Sequence, residues 1–331
     1  MSARRAIVSG GAGFIGSHLV ERLLADGHEV VVLDNLATGR LSNLTACGLS
    51  ARLTIHQVDI SAAPALQTYC SGADWIFHLA ALADIVPSIE RPADYFRANV
   101  AGTLAMLEAA RAVGAQRFLY AASSSCYGIP TQFPTPETAP IQPQYPYALT
   151  KHLGEQLVLH WCQVYHLPVV CLRLFNVYGP RARTHGSYGA VFGTFLAQKL
   201  AGKPFTVVGN GTQTRDFTYV DDVVAAFLAA ANAACRGAVL NVGSGGTYSV
   251  NQLVALLGGD VVHVAKRPGE PDCTFADIRQ ARETLNWQPS VPFAEGVRRT
   301  VAQIEDWHGA PVWDPDSIAT ATAAWFRQLQ S

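Results

Sequence analysis

The sequence predicts an α/β protein: a doubly wound parallel sheet with a smaller, mixed α/β substrate-binding domain. Three observations carry this. Short apolar strands alternate with helix-length segments through the first half of the chain, the rhythm of a parallel sheet with helical crossovers. A glycine-rich turn joins the first strand to the first helix. After the strand Val169–Leu174 the alternation breaks, and Pro204, Pro268, Pro271, Pro289 and Pro292 mark the turns of a less regular region. The 331 residues allow a large core and one domain or two.

Ala6-Ile7-Val8 reads as the first strand. It runs into Gly10-Gly11-Ala12-Gly13-Phe14-Ile15-Gly16 and then a helix whose apolar face is Ile15, Leu19 and Leu23. Gly27 is placed to stop that helix, and Glu29–Leu33 gives the second strand. Gly11, Gly13 and Gly16 fit G-x-G-x-x-G in the strand–turn–helix setting that gives the motif meaning. Bare backbone there can approach a pyrophosphate, whose charge meets the helix N-terminus. The sheet is therefore expected to be of the Rossmann type. Asp34 ends the second strand, where a carboxylate binds ribose hydroxyls and repels a 2′-phosphate, which favours NAD over NADP.

Further units repeat the pattern. Leu53–Val58 is a strand ending in Asp59-Ile60, where an acid can reach an adenine amino group. Trp75–Leu79 is another, followed by Ala80 and Ala81, small enough for close approach to a cofactor. A helix through Tyr95–Ala110 carries Asn99, and Phe118–Ala122 is the next strand. In such sheets ligands collect at the carboxyl ends of strands. Ser123, Ser124 and Ser125 lie at one such end, upstream of Pro146-Tyr147-Ala148-Leu149-Thr150-Lys151. Pro146 suits the first turn of a helix, and Tyr147 and Lys151 then share a face at i and i+4. A nearby ammonium favours the phenolate and lowers the phenol's pKa. A tyrosine so placed can take a proton from a sugar hydroxyl while something else takes the hydride.

Composition removes several function classes. The 24 basic and 25 acidic residues nearly cancel, which argues against a nucleic-acid partner. No apolar run approaches the ~18 residues that would suggest a membrane span, and the N-terminus shows no signal-peptide pattern. The seven cysteines are scattered without Cys-x-x-Cys, as expected of reduced thiols in a cytoplasmic protein. The ten histidines show no metal-ligand spacing, and no metal is expected.

Taken together, Gly10–Leu19, Asp34-Asn35, Asp59-Ile60, His78–Ala81, Asn99, Ser123–Gly128, Tyr147–Lys151, Phe175–Arg181, Arg215-Asp216-Phe217 and Arg267–Glu270 resemble the extended short-chain dehydrogenase/reductases that act on nucleotide sugars, most of all the UDP-sugar 4-epimerases. The resemblance covers nearly the whole chain. It implies NAD held by Gly10, Gly11, Gly13, Phe14, Ile15, Gly16, Asp34, Asn35, Asp59, Ile60, Leu79, Ala80, Ala81, Asn99, Tyr147 and Lys151. It also implies a catalytic trio: Ser123 as hydroxyl, Tyr147 as base, and Lys151 binding the nicotinamide ribose while keeping Tyr147 ionised. The 4,6-dehydratases it resembles carry Asp-Glu just after the serine, and the glucuronate decarboxylases typically keep the Glu; this chain has Ser124 and Ser125. That points to epimerisation, with dehydration or decarboxylation as alternatives and a non-catalytic dinucleotide sensor as a remote one.

The resemblance further implies a UDP-sugar site in which Asn176 touches the sugar or its phosphate, Arg215 and Arg267 grip the diphosphate, and Glu270 holds a uridine ribose hydroxyl. Guanidinium groups bind phosphate oxygens bidentately, which suits the two arginines. Ser123, Ser124, Ser125, Tyr147, Arg183 and Val191 complete the expected substrate contacts. Arg183 matches the position that serves a sugar carboxylate in glucuronate epimerases, whereas Gly186–Val191 resembles the loop of N-acetylglucosamine epimerases. Glucose, N-acetylglucosamine and glucuronate therefore all stay open. The cofactor domain is expected over residues 1–175 with its sheet completed from 216–245, and the sugar-nucleotide domain over 176–215 and 246–308. A tail over 309–331 holds Trp313, Ile318, Thr322 and Trp325, expected to pack back on the body, with a second subunit as the alternative. A homodimer through two helices per subunit is what the family implies.

Overall fold

The computed structural model describes residues 3–182 and 191–329. Its centre is a sheet of seven strands: β1 Arg5–Ser9, β2 Glu29–Asp34, β3 Leu53–Gln57, β4 Trp75–His78, β5 Arg117–Ser123, β6 Val169–Leu174 and β7 Ala238–Val242. All pairings are parallel, in the order β7-β6-β5-β4-β1-β2-β3. The chain leaves β1 toward β2 on one side and reaches β4 on the other. The order reverses there, and that crevice is where a ligand can enter between the crossovers.

Helices cover both faces, so strand residues are buried on alternate sides rather than alternating apolar and polar. Val30 and Val32 face a core with Leu19, Leu23, Phe77 and Phe227; Val31 and Leu33 face a second core with Ile7, Ile76, Leu107, Phe118 and Val169. The first core includes the helix Val220–Asn232, which leads into β7. Although β7 comes late in the chain, it pairs with β6 along its length, Ala238 with Val170 through Val242 with Leu174.

The segment expected as one helix around Asn99 is three: α-helical Pro92–Phe96, a π-helical turn Arg97–Ala101, and α-helical Gly102–Ala112. Such turns interrupt α-helices most often at functional sites. Periodicity could not reveal it, because one wide turn barely disturbs the apolar stripe. The next long helix, Pro146–Tyr165, starts with its proline in the first turn, as its sequence predicts.

The remaining chain builds a third, aromatic core from Tyr178, Phe192, Phe217 and Phe293, with Phe217 and Phe293 stacked 5.2 Å apart. Among the described residues the strands there are short, such as Phe205–Val208 with Val261–Val264 and Thr214–Arg215 with Tyr248–Ser249. The tail forms a helix, Pro315–Leu329, begun by a cap in which Ser317 N donates to Asp314 Oδ1 at 2.8 Å. Its buried face is Ile318, Thr322 and Trp325, and it packs on Ile85–Glu90 and Val261–Val264 of the same chain. All seven cysteines are free thiols. Among the described residues no helix is long and apolar enough to cross a membrane, and no cluster of His, Cys, Asp and Glu could hold a metal ion.

Candidate active site

Ser123 is the last residue of β5, and Ser124–Tyr127 turn away from it as a single 3-10 turn. The Ser123 hydroxyl caps that turn, accepting from Ser125 N at 3.2 Å. Tyr147, in the first turn of Pro146–Tyr165, donates its phenolic hydrogen to Ser123 Oγ at 3.3 Å. Ser125 Oγ lies 2.8 Å from Ser123 Oγ in a further hydrogen bond. Strand end and helix start thus bring three hydroxyls into one row. Tyr95 meets the Tyr147 ring edge-on at 6.5 Å, and Tyr145 stacks beside it at 6.4 Å.

Lys151 lies one turn along the helix from Tyr147 and is buried, with Nζ over the ring of Tyr120 at 4.4 Å. Tyr120 is fixed in turn by donating to the Lys151 carbonyl at 3.1 Å. Burial lowers the Lys151 pKa to about 7. The phenol behaves differently from the sequence expectation. Burial raises the Tyr147 pKa, and the hydrogen bond with Ser123 only partly opposes it. The i,i+4 spacing correctly puts phenol and amine on one face. Within the protein's own groups, however, the ammonium sits on an aromatic face and the loss of water around Tyr147 dominates.

The glycine turn forms a cradle. Gly10 has φ +75°, and a Cβ there would lie 2.7 Å from Ala80 N, so β1 and the end of β4 approach through bare backbone. Gly16 would drive a Cβ into the Gly10 carbonyl. Gly13 caps the helix Phe14–Ala25 without a side chain, and no acid sits in its first turn, which suits an anion. Asp34 is buried and accepts from Ala12 N at 3.0 Å and Leu36 N at 2.8 Å; burial raises its pKa, and those two donors pull it back. Asn35 accepts from Ala37 N at 3.0 Å. Asp59 is exposed above the buried Ile60, and its bond from the Ser61 hydroxyl lowers its pKa. Leu79, Ala80 and Ala81 follow β4 at the crevice. These residues fit a dinucleotide. Asn99 stands one step back: its amide bonds Leu82 N at 2.8 Å, Leu82 O at 3.0 Å and Thr150 Oγ1 at 3.0 Å, inside the π-helical turn. It holds the loop after Ala81.

At the opposite end Arg215 is nearly buried, and its Nη2 lies 3.3 Å from Glu270 Oε1. Arg267 grips the same carboxylate bidentately, at 2.9 and 3.1 Å. A pocket of about 590 Å³ opens between Val208–Asn210, Thr212-Gln213, Arg215, Lys266 and Glu270–Asp272. Asp216, fully buried behind Arg215, ties three loops by accepting from Ala276 N at 2.9 Å, Ser244 N at 2.6 Å and Ser244 Oγ at 2.7 Å. Asn176 is exposed and accepts from the Thr274 hydroxyl at 2.7 Å. Val191 begins the helix Val191–Leu200, and Arg183 lies outside the described residues.

Comparison with known proteins decides what this arrangement belongs to. The model of the NAD dependent epimerase/dehydratase family matches residues 6–243. The chain belongs to the NAD-dependent epimerase/dehydratase family. A UDP-glucose 4-epimerase of Mycolicibacterium smegmatis is 39% identical over 309 residues, 90% of this chain and 97% of that protein. The UDP-glucuronic acid decarboxylase 1 of Xenopus tropicalis is 34% identical over 90% of this chain and 71% of its own length. The solved UDP-glucuronic acid 4-epimerase of Bacillus cereus, in complex with UDP-glucuronic acid and NAD, has a TM-score of 0.85 and 32% identity, covering 91% of this chain and 99% of that one. This family membership makes NAD the cofactor, and the cradle above fits it.

Sequence reasoning missed one part of this epimerase/dehydratase site. Glu155, one turn beyond Lys151, pairs with Arg173 of β6 through bonds of 2.8 and 2.7 Å, and both are buried. Arg173 Nη1 also donates to Tyr127 Oη at 2.8 Å, and Tyr127 donates to Asn241 Oδ1 of β7 at 2.7 Å. Burial would raise the Glu155 pKa, but Arg173 and then His152 bring it below its ordinary range. The signal was present as an arginine inside the otherwise apolar strand Val169–Leu174. Nothing in the sequence said which acid it would meet.

Proposed function

We propose that the protein is a UDP-sugar 4-epimerase, inverting C4 through a 4-keto intermediate. The observation that carries this reading is the row of hydroxyls from Tyr147 through Ser123 to Ser125. A dehydratase needs an acid and a base to expel the C6 hydroxyl, and the two positions after Ser123 are serines. Bound NAD supplies the hydride acceptor and donor. Tyr147 takes the O4 proton and gives it back, and Ser123 holds the same oxygen by hydrogen bond. Lys151 holds the nicotinamide ribose and brings positive charge toward the phenol, whose pKa burial raises. Because the flat intermediate must turn over, the grip belongs on the nucleotide: Arg215 and Arg267 hold the diphosphate, Glu270 a ribose hydroxyl, and Asn176, Ser124, Arg183 and Val191 surround the sugar. The cofactor unit then comprises residues 1–175 with 216–245, the nucleotide-sugar unit 176–215 with 246–308, and the tail 309–331.

A homodimer fits the same reading, because an apolar groove lined by Phe96, Val100, Leu153 and Leu157 runs between two neighbouring helices on the surface. Decarboxylation is the second reading, favoured by the 34% identity to the Xenopus decarboxylase. To test both, purified protein is given UDP-glucose, UDP-N-acetylglucosamine and UDP-glucuronate in turn, and the anomeric protons are followed by NMR. Appearance of the C4 epimer of at least one supports epimerisation. Pentose and carbon dioxide from UDP-glucuronate, with no epimer from any of the three, contradicts it.

A further inference from the structure

The C-terminal helix Pro315–Leu329 reaches the nucleotide end from outside the pocket. Its buried Trp325 donates Nε1–H to the Pro268 carbonyl at 2.8 Å. The Arg267 guanidinium lies over the indole ring, 5.2 Å from its centroid, within the range of a cation–π contact. One helical turn later, Leu329 closes on Gly269: a Cβ at that glycine would lie 3.6 Å from Leu329 Cδ1. The whole Arg267-Pro268-Gly269 segment is therefore seated on one face of the tail. The indole also packs against Tyr145, ring centroids 6.3 Å apart, and Tyr145 stacks on Tyr147.

We propose that Trp325 is a positioning residue that holds Arg267, from behind, in the orientation in which it receives the nucleotide diphosphate. Arginine has many rotamers, and freezing one has an entropic cost that weakens binding unless something fixes it beforehand. Here Glu270 fixes the edge of the guanidinium and Trp325 fixes its face. The bond from Nε1 to the residue after Arg267 locks the ring to the backbone that carries the arginine, so face and edge move together. The tail thereby acts on nucleotide affinity through Arg267.

This inference rests on reading Arg267 as a diphosphate ligand, so the test separates the two. UDP affinity is measured by calorimetry, and KM and kcat on the turned-over UDP-sugar, for wild type and four full-length variants. Arg267→Met should weaken UDP by tenfold or more. Trp325→Leu should raise the UDP Kd and the KM by roughly tenfold, the scale of a partly buried cation–π contact, with kcat within about threefold. Trp325→Phe, which keeps an aromatic face, should recover most of that loss. Ile318→Ala removes buried contact from the same helix face away from Arg267, and should leave the Kd within about twofold. Trp325→Leu binding UDP like wild type, while Arg267→Met does not, overturns the proposal and leaves the nucleotide reading standing. So does Ile318→Ala matching the loss seen in Trp325→Leu, because a general loosening of the tail would then explain it. Arg267→Met binding UDP like wild type removes the diphosphate reading and the inference with it.

Discussion

At the cofactor end the cleft is shaped by backbone. Gly10 and Gly16 have no room for a Cβ, and Asp34 is held by two main-chain N–H groups. At the end proposed for the nucleotide it is shaped by side chains: Arg215 and Arg267 share Glu270, Asp216 ties loops from behind, and Trp325 lies against Arg267. Backbone geometry is fixed by the sheet and tolerates no addition. Side-chain geometry is fixed by neighbours and can be loosened one contact at a time. The two ends should therefore fail differently, abruptly at one and by degrees at the other.

Where they meet, Tyr147 should show the largest effect. Tyr147→Phe is expected to lower kcat by roughly 10³-fold, within the usual range for a proton-transferring group, while the folded protein retains NAD by its absorbance and mass. Next comes the buried pair of Glu155, on the helix Pro146–Tyr165, and Arg173 of β6. Glu155→Gln leaves Arg173 charged and only partly matched among buried groups, and should cost about 3–5 kcal/mol in urea unfolding. Arg173→Met with Glu155→Leu should recover much of that, since an apolar pair of similar bulk leaves no unmatched charge. Gly10→Ala probes the abrupt end. A side chain at φ +75° against Ala80 should weaken NAD by about 10–100-fold, without a graded series of milder substitutions.

Lys151 gives the most pH-dependent effect. Its pKa drops from its ordinary 10.5 to about 7 through burial. Below about pH 7 both the folded and unfolded chains hold the proton, and the fold carries the full penalty of a buried ammonium. Between about 7 and 10.5 only the unfolded chain holds it, so stability rises with pH across that window. Lys151→Met should remove this slope. In cofactor-stripped protein its stability advantage over wild type should be largest at or below pH 7 and shrink toward pH 10.5.

The cofactor end was also the more legible in sequence, for the same physical reason. Backbone constraints leave glycines at fixed spacing, and the strand–turn–helix setting of Gly11, Gly13 and Gly16 could be read without knowing any contact. The serine–tyrosine pairing was legible because a strand end and a helix start meet at the same edge of the sheet. The π-helical turn at Asn99 was not, since apolar periodicity survives one wide turn. Nor was the partnership of Glu155 with Arg173, which depends on how a helix lies over a strand. The raised Tyr147 pKa was hidden too, because spacing shows that Lys151 is near and says nothing of how much water burial removes. For the tail, Trp325 was visible as an apolar helix position, and its contact with Arg267 was set by tertiary packing alone.

The central claim, that one hydrogen leaves C4 and returns to it with no group expelled, is tested most directly with UDP-glucose carrying deuterium at C4, or its N-acetylamino or glucuronate analogue. The reaction is run in ordinary water and followed by NMR and mass spectrometry. The account predicts an epimer that keeps its deuterium at C4 and gains no mass change. A 4-keto-6-deoxy sugar with the deuterium moved to C6, or a pentose with loss of carbon dioxide, would contradict it.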